Sequence, residues 1–146
     1  MAWAGARVWF LIRRPHIRAT AVLVHWEGRV LLLSQSYRSS PSFPGGMLKR
    51  SEDPIDGALR EIGEEIGLRP EPEALRLLRV LPQQKWGATI DLHCFGLHLV
   101  EEPAIEIDRR EVVAAHFLPL SEVALALPEF VPLLERLAEI DDEPLW

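Results

Sequence analysis

The chain has 146 residues and a mass of 16.6 kDa, which is room for one domain (residues 1–146) with a substantial core and too little for two ordinary ones. Hydrophobic residues make up 48% and charged residues 26%, the balance of a folded globular chain rather than a disordered one. A formal charge of −6 argues against a broadly basic surface, so no duplex nucleic acid is expected as a partner.

The first twelve residues are apolar apart from Arg7 and are followed by Arg13 and Arg14. That charge order is wrong for a signal peptide, and the run is too short to span a bilayer, so no membrane partner is expected. The single Cys94 cannot close an intramolecular disulfide, which fits a reducing cytoplasm, and its expected role is a small buried hydrophobe rather than a nucleophile. Residues 18–26 alternate, Glu27-Gly28 turns and residues 30–33 form a short apolar run, which together predict a β-hairpin. A polar segment with Tyr37 and Arg38 then leads to Phe43-Pro44-Gly45-Gly46, where proline and paired glycines exclude regular helix. The strongest local signals follow. Asp53 is a candidate N-cap, Pro54 suits the first helical position, Asp56 lies in the first turn and Gly67 supplies the stop. Between them Ile55, Ala58, Leu59, Ile62 and Ile66 recur at helical spacing as a core-facing stripe. Gly57 and Gly63 break the helical rule at about 1 kcal/mol each, a cost that close packing would explain. Residues 74–81, 88–99 and 111–118 predict strands, and residues 121–127 and 129–140 predict helices, the last with a stripe of Phe130, Leu133, Leu134, Leu137 and Ile140. The order implies an α/β or α+β domain with a mixed sheet.

Glu61, Glu64 and Glu65 stand at i, i+3 and i+4, so a helix gathers them into one arc. Like charges so close repel unless a multivalent cation neutralises them, and carboxylate oxygens suit hard ions such as Mg²⁺ or Mn²⁺. Taken alone, three glutamates on a helix are as readily a solvated face. The surrounding residues decide otherwise: Gly46, five residues, Glu52, seven residues, then Arg60-Glu61-Ile62-Gly63-Glu64-Glu65-Ile66-Gly67-Leu68. Residues 46–68 resemble the signature of the Nudix hydrolases at every specified position. Seven identities at roughly 6–7% each would coincide in a given window with a probability on the order of 10⁻⁸.

The resemblance implies the Nudix α/β/α sandwich and a metal-dependent hydrolase that cleaves the diphosphate bond of a nucleoside diphosphate linked to another moiety. It implies that Glu61, Glu64 and Glu65, with the main-chain carbonyl of Gly45, hold Mg²⁺ or Mn²⁺, and that Glu52 and Arg60 position those carboxylates. Water attacks phosphorus in such a site, and a carboxylate must take its proton. Glu61 and Glu64 are candidates, as is Glu111, whose segment resembles a family loop acid, although a second acid of that segment is Ala114 here. Arg38, Lys49 and Arg50 are candidate phosphate contacts, with solvated charge as their plainer role. Tyr37 and Trp86 are candidate stacking partners for a base, and Phe43 is expected in the core. His16, His25, His93, His98 and His116 show no zinc spacing, and His93 and His98 fall on opposite faces of one strand.

Substrate choice within the family lies outside the signature. Pro82 and Trp86 fall near positions that the family's ADP-ribose and dinucleoside polyphosphate hydrolases use, and neither decides the matter. The alternative from another class is a non-catalytic Nudix-fold module that senses a nucleotide; an isomerase of diphosphate lipid precursors would need acid and cysteine chemistry beyond Cys94. Trp3, Trp9, Phe10, Leu145 and Trp146 are candidates for a homodimer interface, against which stands the expectation that the apolar termini pack on the chain's own core.

Overall fold

The computed structural model describes residues 2–141. Its centre is a mixed sheet in the order β4-β5-β1-β2-β6, made of β1 (His16–Trp26), β2 (Arg29–Gln35), β4 (Leu75–Lys85), β5 (Ala88–Leu99) and β6 (Val112–Pro119), with the short β3 (Gly45–Met47) paired to β1. β1 and β5 run parallel over eleven paired residues, from His16 beside Thr89 to Trp26 beside Leu99, and the other pairs are antiparallel. The hairpin of β1 and β2 splays after its first two pairs, His25 with Val30 and Trp26 with Arg29. β3 occupies the opened edge, pairing Ala19, Thr20 and Ala21 with Met47, Gly46 and Gly45.

Two-residue alternation sends Ala21 and Leu23 to one face of the sheet and Val22 and Val24 to the other. The first face is covered by α3 (Leu120–Ala126) and α4 (Val131–Asp141), through Val123, Leu133, Leu134 and Leu137. α2 (Pro54–Ile66) covers the second through Ala58, Ile62 and Ile66. The result is the α/β/α sandwich expected. Phe43 and Phe130 meet edge to face at 5.0 Å in the first core, and Cys94 is buried there, its thiol pushed up to about 12 by burial. A thiol so held is not a nucleophile at neutral pH.

Three expectations need correction. β4 continues to Lys85 through Pro82 rather than stopping near residue 81. It is an edge strand, so a proline without an N–H leaves no central ladder bond broken. Residues 2–13 form a helix, α1 (Ala2–Arg13), which was not expected. On it Val8, Trp9, Leu11 and Ile12 are exposed rather than packed on the core. Leu145 and Trp146 lie outside the described residues.

Candidate active site

The glutamates are placed by a helix whose ends the sequence defines. Asp53 caps α2 by accepting from the Ile55 N–H at 2.9 Å, Pro54 opens it, and Gly67 ends it at φ 72°. A Cβ on Gly57 would collide with Leu48 and come within 3.1 Å of Glu52, so the loop before α2 packs directly on its backbone. A Cβ on Gly63 would meet first the flexible end of Arg69, at 3.2 Å, and packing does not explain that glycine.

β3 lies against the acidic edge of α2. A Cβ on Gly45 would strike the carbonyl of Thr20, and one on Gly46 would sit 2.7 Å from the Glu61 carboxylate. Bare backbone therefore forms one wall of the site. The Gly45 N–H donates to Glu65 Oε1 at 2.8 Å, and the Gln35 amide approaches Glu65 Oε2 at 3.4 Å from the end of β2.

Arg60 is the organiser of the other carboxylates. It grips Glu52 with two bonds, Nε to Oε2 at 3.0 Å and Nη2 to Oε1 at 2.9 Å, and donates from Nη1 to Glu61 Oε1 at 2.9 Å. Nη1 also lies 3.7 Å from Glu64, and Nη2 reaches the Met47 carbonyl at 3.3 Å. Glu52 in turn accepts the Lys49 N–H at 3.0 Å, so loop, strand and helix meet at one fork-shaped cation. The Arg60 bonds, helped by the Lys49 N–H, hold Glu52 down at about 2.

Electrostatics single out Glu65. Burial pushes its carboxyl up to about 8 despite the Gly45 hydrogen bond, and Glu61, Glu111 and Asp108 add repulsion. Burial raises Glu61 as well, against the pull of Arg60. Of the two desolvated carboxylates, Glu61 shares a guanidinium already committed to Glu52 and Glu65 has only the Gly45 N–H and the Gln35 amide, while Glu64 keeps 61% of its side chain in solvent. Such an oxygen set is under-neutralised and fits a hard divalent cation. Among the described residues no three His, Cys, Asp or Glu side chains converge to hold an ion as they stand. Glu65 faces Gly45, and Glu61 faces Arg60.

The other residues singled out from sequence divide in two. Glu111 is exposed at the head of β6, and its charge acts on both Glu65 and Tyr37, which places it at the same end of the sheet as the glutamates. Trp86 sits at the tip of the β4–β5 turn at φ 52°, with Lys85 Nζ 4.7 Å from its ring centre. Burial and the charge of Arg38 depress Lys85, so the loop after β2 and this turn approach each other. Arg38, in contrast, lines a shallow pocket with Ser34, His116 and Leu118 on the α3/α4 side of β2 and β6. No hydrogen bond found among the described residues joins Arg38, Lys49 or Arg50 to Glu61, Glu64 or Glu65. Lys49 contributes its backbone, through the bond to Glu52 and a carbonyl that accepts from Arg18 at 3.4 Å.

Sequence reasoning missed Gln35, Asp108, Thr20 and His93. Asp108 accepts the N–H groups of Arg110, Glu111 and Val112 and fixes the turn carrying Glu111; an Asp followed by a strand start is too common a signal to find it. Thr20 is opposite Gly46 on one side and His93 on the other, and Thr20 Oγ1 and His93 Nδ1 are buried without a hydrogen-bond partner. Only the three-dimensional register reveals that pair.

Comparison with known proteins places the fold. A family model, the NUDIX domain, matches residues 14–139. A MutT-like protein of Streptomyces ambofaciens is 34% identical over 59 residues, 40% of this chain and 38% of that protein. An RNA pyrophosphohydrolase of Hydrogenovibrio crunogenus is 32% identical over 79 residues, 54% of this chain and 44% of its own length. The chain thus spans less than half the length of these curated relatives. Among solved structures, the MutT protein of Methanosarcina mazei Go1 superposes with a TM-score of 0.71 at 20% identity, covering 89% of this chain and 98% of that one. With the family model extending across all six strands and from α2 to α4, the chain belongs to the Nudix hydrolase family.

Proposed function

We propose that the protein is a divalent-metal-dependent hydrolase of a diphosphate bond in a nucleoside diphosphate linked to another moiety, acting on a small cytoplasmic substrate. The observation that carries this reading is the pair of desolvated carboxylates, Glu61 and Glu65, set against the side-chain-free Gly45-Gly46 wall and short of positive charge. Nudix hydrolases generally use divalent metal ions, and Glu61, Glu64, Glu65 and the Gly45 carbonyl would hold Mg²⁺ or Mn²⁺ here. When bound, that ion neutralises phosphate oxygens and lowers the pKa of water. The chain's own groups do the rest. Arg60, anchored by Glu52, keeps Glu61 aimed along β3, and the glycine wall lets a diphosphate approach without a Cβ in its way. Glu111, exposed and near Glu65, is suited to take the proton of the attacking water, with Glu61 or Glu64 as the alternatives. Thr20 and His93 offer unfilled hydrogen-bonding atoms one and two strands from Gly46, where the group next to the diphosphate would lie. The relatives named MutT-like and RNA pyrophosphohydrolase support a phosphoanhydride of a nucleotide as the substrate class.

The test is release of phosphate and nucleotide with Mg²⁺ or Mn²⁺ across ADP-ribose, nucleotide sugars, dinucleoside polyphosphates, coenzyme A, oxidised nucleoside triphosphates and capped or triphosphorylated RNA ends. Cleavage that disappears with chelator establishes the reading. Tight binding without cleavage of any of them would replace it with a nucleotide sensor.

A further inference from the structure

α1 is unlike every other helix of this fold. Four large apolar side chains on it are exposed: Val8 at 55%, Trp9 at 51%, Leu11 at 59% and Ile12 at 75%. At 100° per residue these positions form one continuous arc of about 160°, from Leu11 through Val8 and Ile12 to Trp9. The positions of Arg7 and Arg13 border the arc on its two sides, and Arg14 follows the helix directly. Charge is segregated in the same way. Residues 1–26 hold Arg7, Arg13, Arg14 and Arg18 and no acid, a charge of +4, which leaves −10 for the remainder of a chain whose total is −6.

We infer that α1 is an interfacial helix that docks the protein on an anionic phospholipid surface, lying in the plane of the headgroups. An apolar arc that ends at the exposed Arg13 and Arg14 matches that environment: the arc enters the acyl boundary while these guanidinium groups meet lipid phosphates. Charge decides against two α1 helices covering each other face to face. Two such arcs face to face would bring arginine rims together with no acid in either segment to pair them. α1 does not cross the membrane, because no described helix is long and apolar enough to do so. The acidic remainder is repelled by the same surface, so docking has a fixed orientation, with β1 leading away from the lipid. Arg14, at φ 46°, and Pro15 make the bend between α1 and β1, and the start of β1 is the end of the sheet that carries Gly46 and Glu61.

The experiment is co-sedimentation of the full chain with phosphatidylcholine vesicles, with and without about a third of phosphatidylglycerol, at low and high salt. Wild type is expected to partition at least about tenfold better onto the anionic vesicles and to lose most of that advantage at 0.5 M salt, a roughly threefold drop in screening length from low-salt buffer. Arg13→Gln with Arg14→Gln should lower binding by about 30-fold, at roughly 1 kcal/mol per basic side chain. Leu11→Ser with Ile12→Ser should abolish it while leaving turnover of a soluble nucleotide unchanged, since neither residue touches the site. Equal binding to neutral and anionic vesicles, or none to either, overturns the inference. So does a dimer by light scattering that the Leu11/Ile12 variant dissociates in the absence of lipid binding.

Discussion

α2 and α4 cover opposite faces of one sheet with closely similar apolar stripes, Ala58, Ile62 and Ile66 on one and Leu133, Leu134 and Leu137 on the other. Both carry acids on their rims. On α4, Glu135 and Glu139 stand exposed to solvent, as does Arg136 between them. On α2, Glu61 and Glu65 are drawn in, because β3 lays two glycines against them and supplies an N–H to Glu65. The number of acids is therefore not what makes the site. A strand without side chains, forced against the helix edge, converts a rim of ordinary glutamates into a desolvated set.

That contrast can be broken from either side. Glu65→Gln should cost the largest effect, about 100-fold or more in kcat/KM with Mg²⁺, yet raise the melting temperature of the metal-free protein by removing a buried repelled carboxyl. A lower melting temperature in chelator would show that Glu65 is structural. Gly46→Ala puts a methyl where the Glu61 carboxylate stands and should lower turnover about tenfold or more with the fold intact by circular dichroism. On the other helix, Leu137→Ala should cost about 2–5 kcal/mol in urea unfolding and leave the KM and kcat of the remaining folded enzyme in place. The pH dependence separates the two faces further. Folded Glu65 titrates near 8 against an ordinary 4.5, so between those values the metal-free native state holds a proton that the unfolded chain has lost. Stability should fall by a few kcal/mol as pH rises from about 5 to 8, then level off. Added Mg²⁺ should protect more at pH 8 than at pH 5, and the slope should vanish in Glu65→Gln. Smallest of all, Glu139→Gln on α4 should stay within about 0.5 kcal/mol and leave activity untouched.

Much of this was legible in advance where local chemistry is decisive. Asp53, Pro54 and Gly67 mark α2 because caps and stops act within a turn, and the β1–β2 hairpin shows as alternation around Glu27-Gly28. α1 escaped notice because residues 2–6 are mostly alanine and glycine and set no period, so the arc of Val8, Trp9, Leu11 and Ile12 emerges only once the helix is formed. β3 escaped because three residues, two of them glycine, carry no strand propensity; it exists through its register with β1. The glutamates could be named from their motif, whereas Gln35, Thr20 and His93 come to the site from β2, β1 and β5 through long-range pairing that no local pattern records.

The segment between β2 and β3 is tied at both ends independently of what it contains. Leu33 and Ser42 exchange backbone bonds of 2.8 and 3.0 Å across its neck, and Ser36 N–H is held by the Glu111 carbonyl at 2.9 Å. On the far side, Pro44 O receives the Val22 N–H at 2.8 Å and fixes the approach to Gly45. Residues 37–41 therefore form a cassette: their length and composition can drift, or be redesigned, while α2 and its glycine wall keep their register.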